Sequence, residues 1–309
     1  MGRIACFISA AALMLTAQRS AADQENIVFA TDRDGDIEIY VMQPDGSNPV
    51  NLTNNPATDW EPAVTPDGTK IVFASNRGGF QNLWVMGADG SSPMNVTESP
   101  ARYGLPSWSP DGSKIAAAST LDGPLDIHVM DADGSNMMNL TDHPGEDAYP
   151  TWSPDGSRIA FHTTRDGNLE IYVMDVDGAN LVNLTRHESA DSYPKWSPDG
   201  SKIAFTSRRF AGDIEILVMD ADGSNPINLT LNAAFDYWPS WSPDGSKIIF
   251  SSDRDGDFDI YLMNADGSDL INLTNTTTTA IYPVWFPPGA MATLIESSSW
   301  GWVKEQGRK

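Results

Sequence analysis

The stretch Tyr149-Pro150-Thr151-Trp152-Ser153-Pro154-Asp155-Gly156-Ser157-Arg158-Ile159-Ala160-Phe161 recurs along the chain. Trp108, Trp152, Trp196 and Trp241 each open a Ser-Pro-Asp-Gly turn. A weaker copy, Val64-Thr65-Pro66-Asp67-Gly68, precedes them, and an altered one, Trp285-Phe286-Pro287-Pro288-Gly289, closes the series. The spacing between successive copies is 44, 44, 44, 45 and 44 residues. A fixed period of this size marks an array of one supersecondary unit.

Within one unit, Pro150 to Ser153 reads as a short strand and Ser153-Pro154-Asp155-Gly156 as a tight turn, with Pro presetting φ and Gly supplying positive φ. Arg158 to Phe161 alternates large and small side chains, as a second strand does. Ile171-Tyr172-Val173-Met174 is a continuous apolar run, fit for a strand buried on both faces. Asp175-Val176-Asp177-Gly178 turns the chain into a last short strand at Asn183-Leu184-Thr185. Four antiparallel strands with two apolar faces must stack face-on against the next unit, which is the construction of a β-propeller blade. An open solenoid of such sheets needs distinct end caps, and the sequence offers none.

Asn-(Leu or Val)-Thr occurs once per unit, at Asn51, Asn95, Asn139, Asn183, Asn228 and Asn272. The first unit begins at its second strand, Ile27-Val28-Phe29, while a lone inner strand, Tyr282 to Phe286, follows the sixth. The two fragments complement each other, so the expected fold is an all-β, six-bladed propeller over 23–289. The C-terminal strand joins the first blade and closes the ring.

The pattern P-x-W-S-P-D-G-S-K-I-A-F, then D-I-Y-V-M-D-A-D-G-S-N, then N-L-T, resembles the repeats of TolB-type propellers, the WD40-like PD40 family, over about residues 25–289. The resemblance implies the six-bladed fold, on which propellers serve as binding platforms, lyases, lactonases or gating domains of peptidases, and the chain departs from TolB itself in leaving no room for that protein's additional N-terminal α/β domain.

Residues 1–22 read as a secretory signal, with Arg3, an apolar core from Ile4 to Ala17, and Ser20-Ala21-Ala22 before the cleavage point. Cys6 lies too early in that core for lipid attachment. The expected location is periplasmic or secreted. The chain carries 42 acidic and 19 basic residues, a formal charge of −23, and loss of the signal takes away two arginines and the one cysteine. Disulfides are thereby excluded, and such acidity argues against nucleic-acid partners and anionic membranes. Residues 290–309, with Trp300 and Trp302, form a tail outside the repeats.

Asp32-Arg33-Asp34-Gly35-Asp36 and its counterpart Asp253 to Asp257 alternate carboxylates as calcium loops do, or else cap their own turns. Glu38, Asn82, Asp126, Glu170, Glu215 and Asp259 stand at one position per unit and read as acceptors within each blade. The methionines before the Asp-x-Asp-Gly turns read as filler between blades.

Three residues before each inner-strand proline stand Asp59, Tyr103, Asp147, Asp191, Asp236 and Ala280. Four carboxylates around one channel mouth are the expected metal site, with calcium as the cofactor. His143 and His187, at equivalent loop positions beside Glu146 and Glu188, are the added ligands in an alternative reading: a metal-dependent carbohydrate-active enzyme resembling oligogalacturonate lyases. Trp60, Tyr103 and Tyr237 are expected at the rim, to stack on a glycan or pack on a peptide. No G-x-S-x-G elbow and no thiol nucleophile accompany them. The expectation is therefore a monomeric, non-enzymatic scaffold for a protein, peptide or glycan partner.

Overall fold

The computed structural model describes residues 25–210 and 213–287. The expected signal segment 1–22 and the tail 290–309 lie outside the described residues. Among the described residues, twenty-four strands form six four-stranded antiparallel sheets. The inner strands, Asp59–Val64, Tyr103–Trp108, Asp147–Trp152, Asp191–Trp196, Asp236–Trp241 and Ala280–Trp285, line a central channel. The last of these pairs with Ile27–Thr31, so blade one takes its inner strand from the far end of the chain and the ring closes as expected.

Blade four shows how the unit is made. Arg158–Thr163 pairs with Glu170–Asp175 from Arg158↔Asp175 to Thr163↔Glu170. The third strand is buried along five of its six residues because both of its faces meet neighbouring blades. Gly156 takes φ +71° and donates its N–H to the Ser153 carbonyl at 2.9 Å, closing the anticipated turn. Asp155 in that turn accepts the Ser153 hydroxyl at 2.6 Å and the Ser157 N–H at 3.0 Å. The outer strand is shorter than its sequence suggests, only Val182–Asn183. There the ladder continues through side chains: the Thr185 hydroxyl accepts the Ile171 N–H at 3.1 Å.

The core lies between blades rather than within them. Ala116, Ile127 and Val129 of blade three pack with Trp152, Phe161 and Met174 of blade four. All six repeat methionines, Met42, Met86, Met130, Met174, Met219 and Met263, are at most 2% exposed, as filler between sheets requires. Four indoles stitch the ring: the Nε1 atoms of Trp108, Trp152, Trp241 and Trp285 donate at 3.2 Å to Ala63, Ser107, Lys195 and Ser240 carbonyls of the preceding blade. The indole N–H of Trp196 is buried without such a partner, and Arg158 stacks over that ring instead, 5.2 Å from its centroid.

Candidate functional site in the central channel

The expected ring of cation-binding aspartates is not assembled. Asp59, Asp147, Asp191 and Asp236 are fully buried, and each is held by an arginine from the loop between the second and third strands of its own blade. The distances are 2.6 Å to Arg77, 3.1 Å to Arg165, 2.7 Å to Arg209 and 3.0 Å to Arg254. Each arginine also lies over an aromatic ring of the same sheet, as Arg165 does over Phe161 and Tyr172. The unit is a structural clasp in which guanidinium N–H groups engage the carboxylate; Asn55 and Asn232 add a bond to Asp59 and Asp236, and Asp59 Oδ1 is left without a partner among the described residues. Blade three replaces both partners, with Tyr103 and Leu121, and blade one keeps Arg33 opposite Ala280.

The other expected ligands are also engaged locally. His143 and His187 use Nδ1 to accept the N–H groups of Gly145, at 2.9 Å, and Ser189, at 3.0 Å. Among the described residues no group of three or more His, Cys, Asp or Glu side chains is placed to hold a metal ion. The acidic loops serve their own sheets: Asp34, Asp166 and Asp255 accept the hydroxyls of Tyr40, Tyr172 and Tyr261. Glu38, Asn82, Asp126, Glu215 and Asp259 bond the threonine of their own blade's Asn-x-Thr segment, and Glu170 bonds Asn183. Tyr103, expected at the rim, is only 1% exposed and directs its hydroxyl at the Met137 sulfur, 3.2 Å away. Trp60 and Tyr237 are partly buried, the latter packed against Trp238 at 5.0 Å between centroids.

The channel is organised by a different position. Every inner strand carries a bulge before its proline, and the residue there takes φ of 55–56°: Glu61, Leu105, Tyr149, Tyr193, Trp238 and Tyr282. Left-handed backbone on a side chain of this size costs on the order of 1 kcal/mol, and its return is that the bulge re-aims the side chain. Together with the prolines that follow, all six line a cavity of about 90 Å³. Tyr149 and Tyr193 meet edge to face at 4.3 Å, and Trp238 and Tyr282 lie 4.4 Å apart. The sequence signal is an aromatic before proline in four of six repeats, with Glu61 and Leu105 in the other two. Sequence reasoning had treated this position as part of the strand.

Glu61 is the one carboxylate in this collar. It is 7% exposed, and its Oε2 accepts the Leu105 N–H at 2.7 Å. Gly104 makes that reach possible, since a β-carbon there would stand 2.7 Å from the same oxygen. Burial pushes the Glu61 carboxyl up to about 7, against the smaller opposing pull of the Leu105 N–H and Arg102. One layer further along the channel, Lys195 occupies the place held elsewhere by Ala63, Ser107, Thr151, Ser240 and Val284. Burial lowers its ammonium below the ordinary lysine value. Lys195 also borders a second cavity, of about 330 Å³, at the tryptophan end of the channel. Behind the collar, His162 is 7% exposed with its Nδ1 unpartnered, and burial holds it down at about 3, so its ring is neutral.

A family profile described as the TolB beta propeller domain (PD40) matches residues 6–105, 94–209 and 191–303. A 56-residue segment is 46% identical to the protein TolB homolog of Chlorobaculum tepidum, covering 18% of this chain and 13% of that protein. The crystal structure of TolB from Acinetobacter baumannii superposes with a TM-score of 0.76 at 23% identity, over 85% of this chain and 66% of that one. The putative TolB from Agrobacterium tumefaciens superposes with a TM-score of 0.68 at 25% identity, over 85% of this chain and 99% of that one. The aligned part is thus under two thirds of the length of the Chlorobaculum and Acinetobacter relatives. With the six-bladed ring and its PD40 repeats both in place, the chain belongs to the TolB β-propeller family.

Proposed function

We propose that this chain is an exported, non-enzymatic binding module that docks a protein partner on the face of the propeller carrying the loops into the inner strands. The carrying observation is where apolar surface is left uncovered. Loops joining second to third strands, and the loop entering blade six, emerge on one face because the strands alternate in direction. Phe80, Leu121, Phe210 and Phe235 on these loops are 55%, 47%, 43% and 42% exposed. With Leu231 they are spread over four blades of this rim, while Met94, Met138, Leu181, Val182, Ile227, Leu270 and Ile271 are exposed along the outer strands, and large apolar side chains on a loop-built rim suit an interaction surface. Trp60 and Tyr237 lie nearby on the same face. The clasped aspartates make this rim rigid, so little ordering entropy opposes docking. Export is supported by the signal-like residues 1–22.

The test is affinity capture from the envelope fraction of the source cells, comparing the mature chain with a Phe80→Ser/Phe235→Ser variant. A partner retained by the first and lost by the second, with both folded by circular dichroism, supports the reading. Identical captures, or none, overturn it.

A further inference from the structure

Glu61 and Lys195 lie in blades two and five, diametrically opposed in a ring of six, and both line the 90 Å³ cavity. None of the ion pairs among the described residues involves either side chain. A buried carboxylate such as Glu61 normally finds a cationic partner, because leaving it uncompensated is costly, and the half-buried Lys195 is the ammonium on the same void. Here they face one void from opposite walls without reaching each other. The same void is lined by Tyr149, Tyr193, Trp238 and Tyr282, aromatic side chains of the kind that attract a cation. The indole N–H of Trp238 is buried and has no partner. At about 30 Å³ per water the void itself holds roughly three waters, room for a glycine-sized body, and it continues toward the tryptophan-end cavity for anything longer.

We propose that this cavity is a binding site for a small zwitterion bearing one ammonium and one carboxylate group, the class of free amino acids and their N-methylated betaines. The ammonium end lies against Glu61 and the aromatic collar. The carboxylate end meets the Lys195 ammonium. Occupied this way, Glu61 and Lys195 each have a counter-charge and the site is neutral as a whole. The cavity wall is shared with the tryptophan-end opening through Thr151, Lys195, Ser240 and Val284, which gives the ligand an entry from that side. The site is inside the channel, apart from the docking rim, and does not depend on the partner reading.

The test is calorimetric titration of the mature protein at neutral pH with glycine and glycine betaine, and with tetramethylammonium and acetate as half-ligands. Saturable one-to-one binding of at least one zwitterion is expected, at least about tenfold tighter than either half-ligand. Lys195→Met should weaken the zwitterion at least about tenfold while leaving tetramethylammonium unchanged, and Glu61→Gln should weaken both. Circular dichroism checks that each variant folds. If Glu61→Gln does not fold, the contrast between zwitterion and tetramethylammonium in Lys195→Met decides alone. Absence of saturable binding of both zwitterions, or variants that bind them as tightly as the parent, overturns the proposal.

Discussion

A single proton separates Glu61 in the folded chain from Glu61 in the unfolded one. Its carboxyl is raised from 4.5 to about 7, chiefly by burial. Between those values the unfolded chain releases a proton that the folded chain keeps, so stability falls as pH rises through this window and is flat above it. The full effect is on the order of 3 kcal/mol. Glu61→Gln keeps an acceptor for the Leu105 N–H and has nothing to titrate. It should remove the slope and be the more stable protein above pH 7, as urea titrations across a pH series will show. The indoles allow a second comparison at this scale. Trp152→Phe deletes a buried bond to the Ser107 carbonyl and should cost about 1–2 kcal/mol. Trp196→Phe removes an N–H that has no partner and should cost measurably less in the same denaturant assay.

At the scale of the blade, the aspartate–arginine clasp is the most repeated polar device, and its legibility shows where sequence reading stops. The period, the Pro-Asp-Gly turns and the six Asn-x-Thr copies were enough to set strand number, blade number and closure. The four aspartates are legible too, but their partners stand 18 residues downstream in the loop after the second strand, as Arg165 does from Asp147. Only pairing of the first and second strands brings those two positions together. Tyr103 was misplaced for the same reason: the absence of Arg at Leu121 turns a polar position into core. The collar escaped notice because a bulge breaks the alternation by which strand faces are assigned. The clasp itself is testable. Arg165→Leu alone strands a buried carboxylate and should cost about 3–5 kcal/mol. Adding Asp147→Tyr reproduces the blade-three pairing and should recover part of that loss, the shortfall reflecting Leu181, which stands where Met137 receives the Tyr103 hydroxyl. A double variant no more stable than the single one would show that the pairing is not the unit of tolerance.

Over the whole molecule, the acidity that sequence reading connected with cations is largely turn chemistry. Asp111, Asp155, Asp199 and Asp244 are held at about 2, first of all by serine hydroxyls within their own turns. These groups stabilise the fold above about pH 4 and lose that contribution as pH falls toward 2, the opposite sense to Glu61. What keeps so charged a chain in one piece is closure. The strand Ala280–Trp285 supplies the Trp285 bond to Ser240, the pairing of Val284 with Val28, and the buried Phe286, whose N–H meets the Asn26 carbonyl at 2.7 Å. Losing Trp285 and Phe286 alone costs roughly 3–5 kcal/mol each, which matches the whole stability of an ordinary domain, about 5–15 kcal/mol. A chain ending at Thr279 should therefore show no cooperative thermal transition, while one ending at Pro287 should unfold cooperatively close to the parent. An open solenoid would behave otherwise, since each terminal unit there contributes only a nearest-neighbour term and its loss shifts the melting temperature modestly. Scanning calorimetry of the two truncations separates the cases, and a sharp transition in the shorter chain would mean that the ring is not the cooperative unit.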